Sequence, residues 1–196
     1  MQRPAHRGLD SATELWQGDG VRITDSPQDH GVDPGTRQQY DERRAAISAR
    51  HLRPPATRPP TVARGVHHVA LICSDVERTV EFFDGLLGFP LIEMFENRDY
   101  AGSTHFFFDL GAGNCLAYFD LPGLDLGPYA EVLGGHHHLA ISVDRDAWQR
   151  IKDTFDERGI DYAHVDGSSM YFSGPDGERL ELISDPLREM YGKPVG

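Results

Sequence analysis

The chain has 196 residues, 39% hydrophobic and 26% charged, enough for one compact core and too few for two domains of ordinary size. Its formal net charge of −12 argues against nucleic acid or an anionic membrane surface as partner and leaves small neutral or aromatic ligands open. No apolar run reaches membrane-spanning length and MQRPAHRGLD has no apolar stretch behind its arginines, so a cytoplasmic protein is expected. The two cysteines, Cys73 and Cys115, form no CxxC pair, which leaves a zinc ribbon, a redox motif and a disulfide framework without support.

Residues 1–64 are rich in Pro, Arg, Asp and Gln and cannot build a core of their own. Within this arm TRQQYDERRAAISARHL predicts one helix from about Asp33 to Leu52, which the RPPATRPP run from Arg53 ends as an extended linker. From Arg64 onward short β-like runs alternate with two helical stretches, and the pattern occurs twice. In module one, residues 65–121, GVHHVALICSD reads as a strand. Asp75 then caps a helix whose Val76, Val80, Phe83 and Leu87 share a face before Gly88 ends it. Strands are predicted at Pro90–Phe95, Thr104–Leu110 and Cys115–Phe119, the last two joined by the turn Gly111-Ala112-Gly113-Asn114. Module two, residues 134–185, repeats this order. It has the strand GGHHHLAISVD, a helix carrying Trp148, Ile151 and Phe155 that Gly159 stops, and strands from Ile160, Ser169 and Arg179. Residues 186–196 read as a C-terminal tail. The expectation is an α+β fold of two tandem βαβββ modules forming a curled mixed-sheet cup, with an N-terminal extension.

A strand alternates faces, and one face of each unit must pack on its own helix. Val69 and Leu71 suit the helix side, so His68, Ala70 and Ile72 face away; His138, Ala140 and Ser142 do the same in module two. Aligning the final strands on Gly113 and Gly177 sets Ala117 opposite Glu181, which shares its face with Arg179 and Ile183. A carboxylate on that side of an apolar strand is costly unless paired or metal-bound. His68, His138 and Glu181 are therefore the candidate metal ligands, and two imidazoles with one carboxylate leave about half of an octahedral shell open. The neighbouring His67, His136 and His137 read as edge histidines.

HHVALICSDVERTVEFFDGLLGF, HHHLAISV and YFSGPDGERLELIS together resemble the vicinal-oxygen-chelate superfamily, which includes glyoxalase I, fosfomycin-inactivating enzymes, bleomycin-binding proteins and extradiol ring-cleaving dioxygenases. The resemblance covers roughly residues 65–185 and implies paired βαβββ modules around a metal held at His68, His138 and Glu181. Glyoxalase I usually draws two ligands from each module, and Ala117 removes one here. The ring-cleaving signature is matched at His164, Met170, Tyr171, Pro175, Gly177 and Glu181. Gly174 replaces a small polar residue of that signature, and Tyr162 stands where a small or β-branched one is usual. By that resemblance Tyr171 and His164 would contact substrate or the reacting oxygen species. The acid/base histidine of module one is missing at Ala117; His105, alternating with Phe107 and Asp109, is the candidate substitute. The few cations of module two, Arg145, Arg150, Lys152, Arg158 and Arg179, rank fosfomycin inactivation lower.

These readings imply a dioxygenase using Fe(II), with Mn(II) next, on a small substrate that is aromatic or carries vicinal oxygens, in a homodimer. The alternatives are a redox-neutral lyase, isomerase or thiol transferase on Zn(II) or Ni(II), and a non-catalytic binding protein on the same fold.

Overall fold

The computed structural model describes residues 33–195, so all of the arm before Asp33 lies outside the described residues. Helix α1, Pro34–His51, starts where expected: the Asp33 carboxylate accepts from the Gly35 and Thr36 N–H groups and proline occupies the first turn. None of its residues is buried. The proline-rich segment after it leads into the main body with a single 3-10 turn at Pro55–Thr57.

Module one consists of β1 (His68–Cys73), α2 (Val76–Val80, running on as a π-helical turn over Glu81–Leu86), β2 (Leu91–Glu96), β3 (Thr104–Asp109) and β4 (Cys115–Asp120). The Asp75 carboxylate caps α2 by accepting from the Arg78 N–H. The wider turn at Glu81–Leu86 is followed by Gly88 at φ 76°, in the left-handed region that lets the chain leave the helix. Module two repeats the plan with β5 (Leu139–Ser142), α3 (Arg145–Arg158), β6 (Ala163–Val165), β7 (Ser169–Ser173) and β8 (Arg179–Ile183).

The two sheets have the same topology, β1-β4-β3-β2 and β5-β8-β7-β6. In each, the first and last strands pair in parallel and the remaining neighbours are antiparallel. Register makes the repeat residue-specific. Ala70 pairs with Ala117 as Ala140 pairs with Glu181, and Phe107 faces Ala117 across β3–β4 as Tyr171 faces Glu181 across β7–β8. Ala117 is thus the module-one equivalent of Glu181, and His68 that of His138.

Two expectations are revised. Strand β6 begins at Ala163 rather than at Ile160, because the intervening residues are spent on α3: the Ile160 N–H donates to the Phe155 carbonyl and the Tyr162 hydroxyl to Asp156. Tyr162, unusual at its position, thereby ties strand to helix. The C-terminal tail folds back as a hairpin of β9 (Glu189–Met190) and β10 (Lys193–Pro194).

The modules share one core. Phe82, Phe83, Phe106, Phe108, Leu116 and Tyr118 of module one are buried in the same cluster as Trp148, Phe155, Met170, Phe172, Leu180 and Leu182 of module two. Phe82 and Phe172 meet across the joint at 6.1 Å. A polar clasp accompanies this packing. The module-two turn places Asp176 on the Ser74 N–H (2.9 Å) and on Arg78 (2.8 Å), and Glu178 under the Tyr118 hydroxyl (2.7 Å). A Cβ on Gly174 would lie 2.3 Å from the Glu178 carboxyl, so any side chain there would have to push that carboxyl off the Tyr118 hydroxyl.

The helix-covered faces meet in this core and the opposite faces point away from it; that of module one carries exposed apolar side chains, whereas on that of module two Ala163, Ser169 and Glu181 are buried. The sheets stay separate and open rather than closing into one cup, and Ile72 and Phe95 remain 49% and 46% exposed.

Candidate metal centre

On the open face of module two, Glu181 is only 3% exposed. Its Oε1 accepts from the Ser169 hydroxyl at 2.6 Å and its Oε2 lies 3.1 Å from His138 Nε2. No Lys or Arg neutralises it among the described residues, although Arg179 is two residues back on the same face. That arginine is engaged with Glu131 and with His137 Nε2, each at 3.1 Å. Donor bookkeeping then fixes a chain. Arg179 only donates, so His137 accepts at Nε2 and donates from Nδ1 to His138 Nδ1 at 2.7 Å; His138 therefore donates from Nε2 to Glu181. Tyr171 stands edge-on to His138 with ring centroids 5.6 Å apart. Burial, Glu181 and then Tyr191 push its phenol well above the ordinary tyrosine range, so it is a neutral hydrogen-bond donor.

The open face of module one repeats the histidine without the carboxylate. His68 is exposed, with Nδ1 2.9 Å from His67 Nδ1 and its ring 6.0 Å from Phe107, the counterpart of Tyr171. Around it the face is aromatic. His105 stacks on Phe119 at 3.8 Å and lies 4.3 Å from Phe107 and 5.2 Å from Phe95. Burial, and secondarily His68, lower the His105 pKa, and its Nε2 is buried without a hydrogen-bond partner.

The structure therefore brings His138, Glu181 and Tyr171 together, and separately His68 and His105. It does not bring His68 to the other two: among the described residues no three His, Cys, Asp or Glu side chains converge closely enough for a metal. The packing explains why, since the two open faces lie on sheets that meet through their opposite sides. His164 is placed elsewhere. It pairs with Met170 and packs 5.1 Å from Trp148 of α3, on the helix side of the sheet, so it does not reach the open face where Tyr171 and Glu181 lie. Its sequence register is intact; the alternation of β6 turns it the wrong way. Ser169 was missed, though its i, i+2 relation to Tyr171 puts it on the site face.

The donor set suits a divalent cation: a buried carboxylate, held by one hydroxyl, whose other oxygen faces an imidazole nitrogen on an open surface.

Two mixed sheets of this order, each with a histidine entering its first strand, define a paired-βαβββ protein. The family model described as "Glyoxalase/Bleomycin resistance protein/Dioxygenase superfamily" matches residues 65–182, and the chain belongs to that superfamily. Among curated proteins it is 24% identical over 139 residues to "Putative ring-cleaving dioxygenase MhqA" of Bacillus subtilis (strain 168), covering 67% of this chain and 43% of that protein. The chain thus spans less than half of that relative. It is 23% identical over 139 residues to "Metallothiol transferase FosB" of Lysinibacillus sphaericus (strain C3-41), covering 64% of this chain and 86% of that protein. Among solved structures, the fosfomycin resistance protein FosX from Mesorhizobium loti superposes with a TM-score of 0.50 at 22% identity, over 64% of this chain and 95% of that one. Superfamily relatives of this kind include metal-dependent enzymes of more than one class. No described helix is long and apolar enough to cross a membrane.

Proposed function

We propose that this chain is a metal-dependent dioxygenase whose centre is completed between two copies. His138 and Glu181 of one copy and His68 of the partner subunit would hold the cation, Fe(II) first and Mn(II) next. The observation that carries this reading is the division of labour between the open faces: one bears a buried carboxylate beside an imidazole, the other an imidazole with Ala117 at the carboxylate position. A second copy laid over the open faces supplies the third ligand that one chain holds apart, and it covers Ile72 and Phe95.

When bound, such a metal supplies a Lewis acid for a vicinal diol and the redox capacity that dioxygen chemistry requires. The chain's own residues do the rest. Ser169 holds Glu181 in one orientation, which a ligating carboxylate needs. Phe95, Phe107 and Phe119 with the His105 ring offer an aromatic wall suited to a planar substrate. His105, kept neutral by burial and with Nε2 unpartnered, is suited to accept a proton from a substrate hydroxyl. Tyr171, kept un-ionised, donates a hydrogen bond to a substrate oxygen.

The test is oxygen uptake. Protein loaded with Fe(II) under anaerobic conditions and then given catechols should consume O2 and form ring-cleaved product. Full metal occupancy with no uptake across such a panel would contradict the dioxygenase reading. A redox-neutral thiol transferase is favoured by one observation, the match along 86% of FosB, and would show itself as thiol adduct formed without oxygen.

A further inference from the structure

Helix α1 lies outside the matched family segment, and none of its residues is buried. With about 3.6 residues per turn, Tyr40, Arg43, Arg44 and Ile47 share one face with Arg50 on its flank, while Glu42 lies across the helix. Tyr40 and Ile47 are 58% and 52% exposed. Charge divides the chain at the same place. Residues 33–64 carry seven arginines and three acidic residues, whereas residues 65–196 carry nine basic and 23 acidic ones. A basic and apolar helix face tethered to an acidic body calls for an acidic and apolar surface to cover it. Strand β2 offers one. It is an edge strand of its sheet, all of it after Leu91 is exposed, and Ile92 and Met94 (48% and 46% exposed) alternate there with Glu93, with Glu96 two residues further on. A bare edge of six residues is a liability that proteins cover; the matching edge of module two, β6, has only three.

We propose that α1 of one copy lies along β2 of a second copy, and the second copy's α1 along β2 of the first. Tyr40 and Ile47 cover Ile92 and Met94, and Arg43 and Arg50 face Glu93 and Glu96. Within one chain both α1 and β2 stay exposed, so α1 does not cover its own edge strand. The proline-rich stretch of 16 residues between His51 and His68 spans up to about 50 Å when extended, enough to reach a neighbouring molecule. Two reciprocal helix contacts bury on the order of 1,000 Å², the lower bound for a specific interface. Met94 pairs with the buried Phe106, so it lies on the other side of the sheet from Phe95 and Phe107, and the aromatic face stays open. The inference goes beyond the proposed function because the contact needs no metal.

The experiment measures dimer dissociation of the full-length, metal-free protein by analytical ultracentrifugation. Arg43→Glu/Arg50→Glu and Glu93→Arg/Glu96→Arg should each raise the dissociation constant roughly ten-fold by setting like charges against each other. All four residues are exposed, so the fold is retained. With both pairs reversed in one chain, the constant should return to within about three-fold of wild type, because each contact again joins opposite charges. A monomeric wild type, a dimer that neither pair weakens, or losses that multiply in the combined variant would overturn the proposal. Ile47→Cys/Met94→Cys under mild oxidation identifies the occupant, with the wild type and its own Cys73 and Cys115 as control. Chains linked as dimers on a non-reducing gel support the exchange; a disulfide closed within one chain puts α1 on its own domain and refutes it. A dimer that behaves as expected here but binds no metal would remove the shared centre and leave this contact standing.

Discussion

The two modules are one folding unit written twice with different open faces. Strand order, helix placement and register coincide, down to Ala70 against Ala117 and Ala140 against Glu181. The faces toward the shared core are alike in kind, mostly apolar and packed into one cluster. The opposite faces diverge position by position: Ala117 against Glu181, Phe107 against Tyr171, and His105 against Ser169, which hold matching places in the β3–β4 and β7–β8 ladders. Packing restrains the inner face of a repeat, so chemistry is free to vary only on the other. In the proposed reading neither half is a site alone: module two would bring the charge and the hydroxyls, module one the aromatic wall and the second imidazole.

The contrast breaks most completely at Glu181. Replacing it with Ala should lower metal affinity by at least about 100-fold, since it supplies the sole carboxylate, whereas its counterpart Ala117→Gly should leave metal content unchanged. Metal content by elemental analysis after anaerobic purification reads both. Making module one resemble module two, with Ala117→Glu, should cost about 3 kcal/mol of stability without metal, because Ala117 is fully buried and the new carboxylate would lack a partner. Added Zn(II) or Ni(II) should restore much of that loss as a rise in melting temperature, turning the site toward four protein ligands.

Smaller effects sharpen the same comparison. Ser169→Ala removes the hydroxyl that holds Glu181 and should weaken metal binding about 10-fold without loss of fold, measured by competition with a chelating dye. The smallest effect lies at the clasp between modules. Burial pushes the Glu178 carboxyl above its ordinary range, outweighing the hydrogen bond from Tyr118. A raised folded-state pKa favours the folded state at acidic pH, below the ordinary carboxylate range, and that contribution is lost as pH rises through the raised value. Glu178→Gln should therefore flatten the decline in urea stability across this window while leaving metal content alone.

Much of this was legible in the sequence because it is periodic. Alternation in HHVALICSD and HHHLAISV fixed which side His68 and His138 take, and the paired glycines Gly113 and Gly177 aligned Ala117 with Glu181, a match the strand register bears out. His164 shows the limit of motif reasoning. Its spacing fits the ring-cleaving signature, but its side chain follows the pairing of β6 with Met170 and turns to Trp148. The Ser74–Asp176–Arg78 clasp was beyond reach, because contacts between residues about 100 positions apart leave no local period. The separation of His68 from His138 was equally hidden, since a repeat specifies each unit and not how two units pack.

That separation carries the central claim, and a mixing experiment tests it most directly. His68→Ala and Glu181→Ala each lack one ligand, and as separate proteins each should bind almost no Fe(II) or Mn(II). Unfolded together in equal amounts and refolded, half of the dimers would pair one variant with the other, and each such dimer would contain one intact site. The account predicts recovery of about a quarter of wild-type metal content in the mixture. No recovery, with mixed dimers demonstrated by a tag on one variant, would contradict a centre shared between two copies.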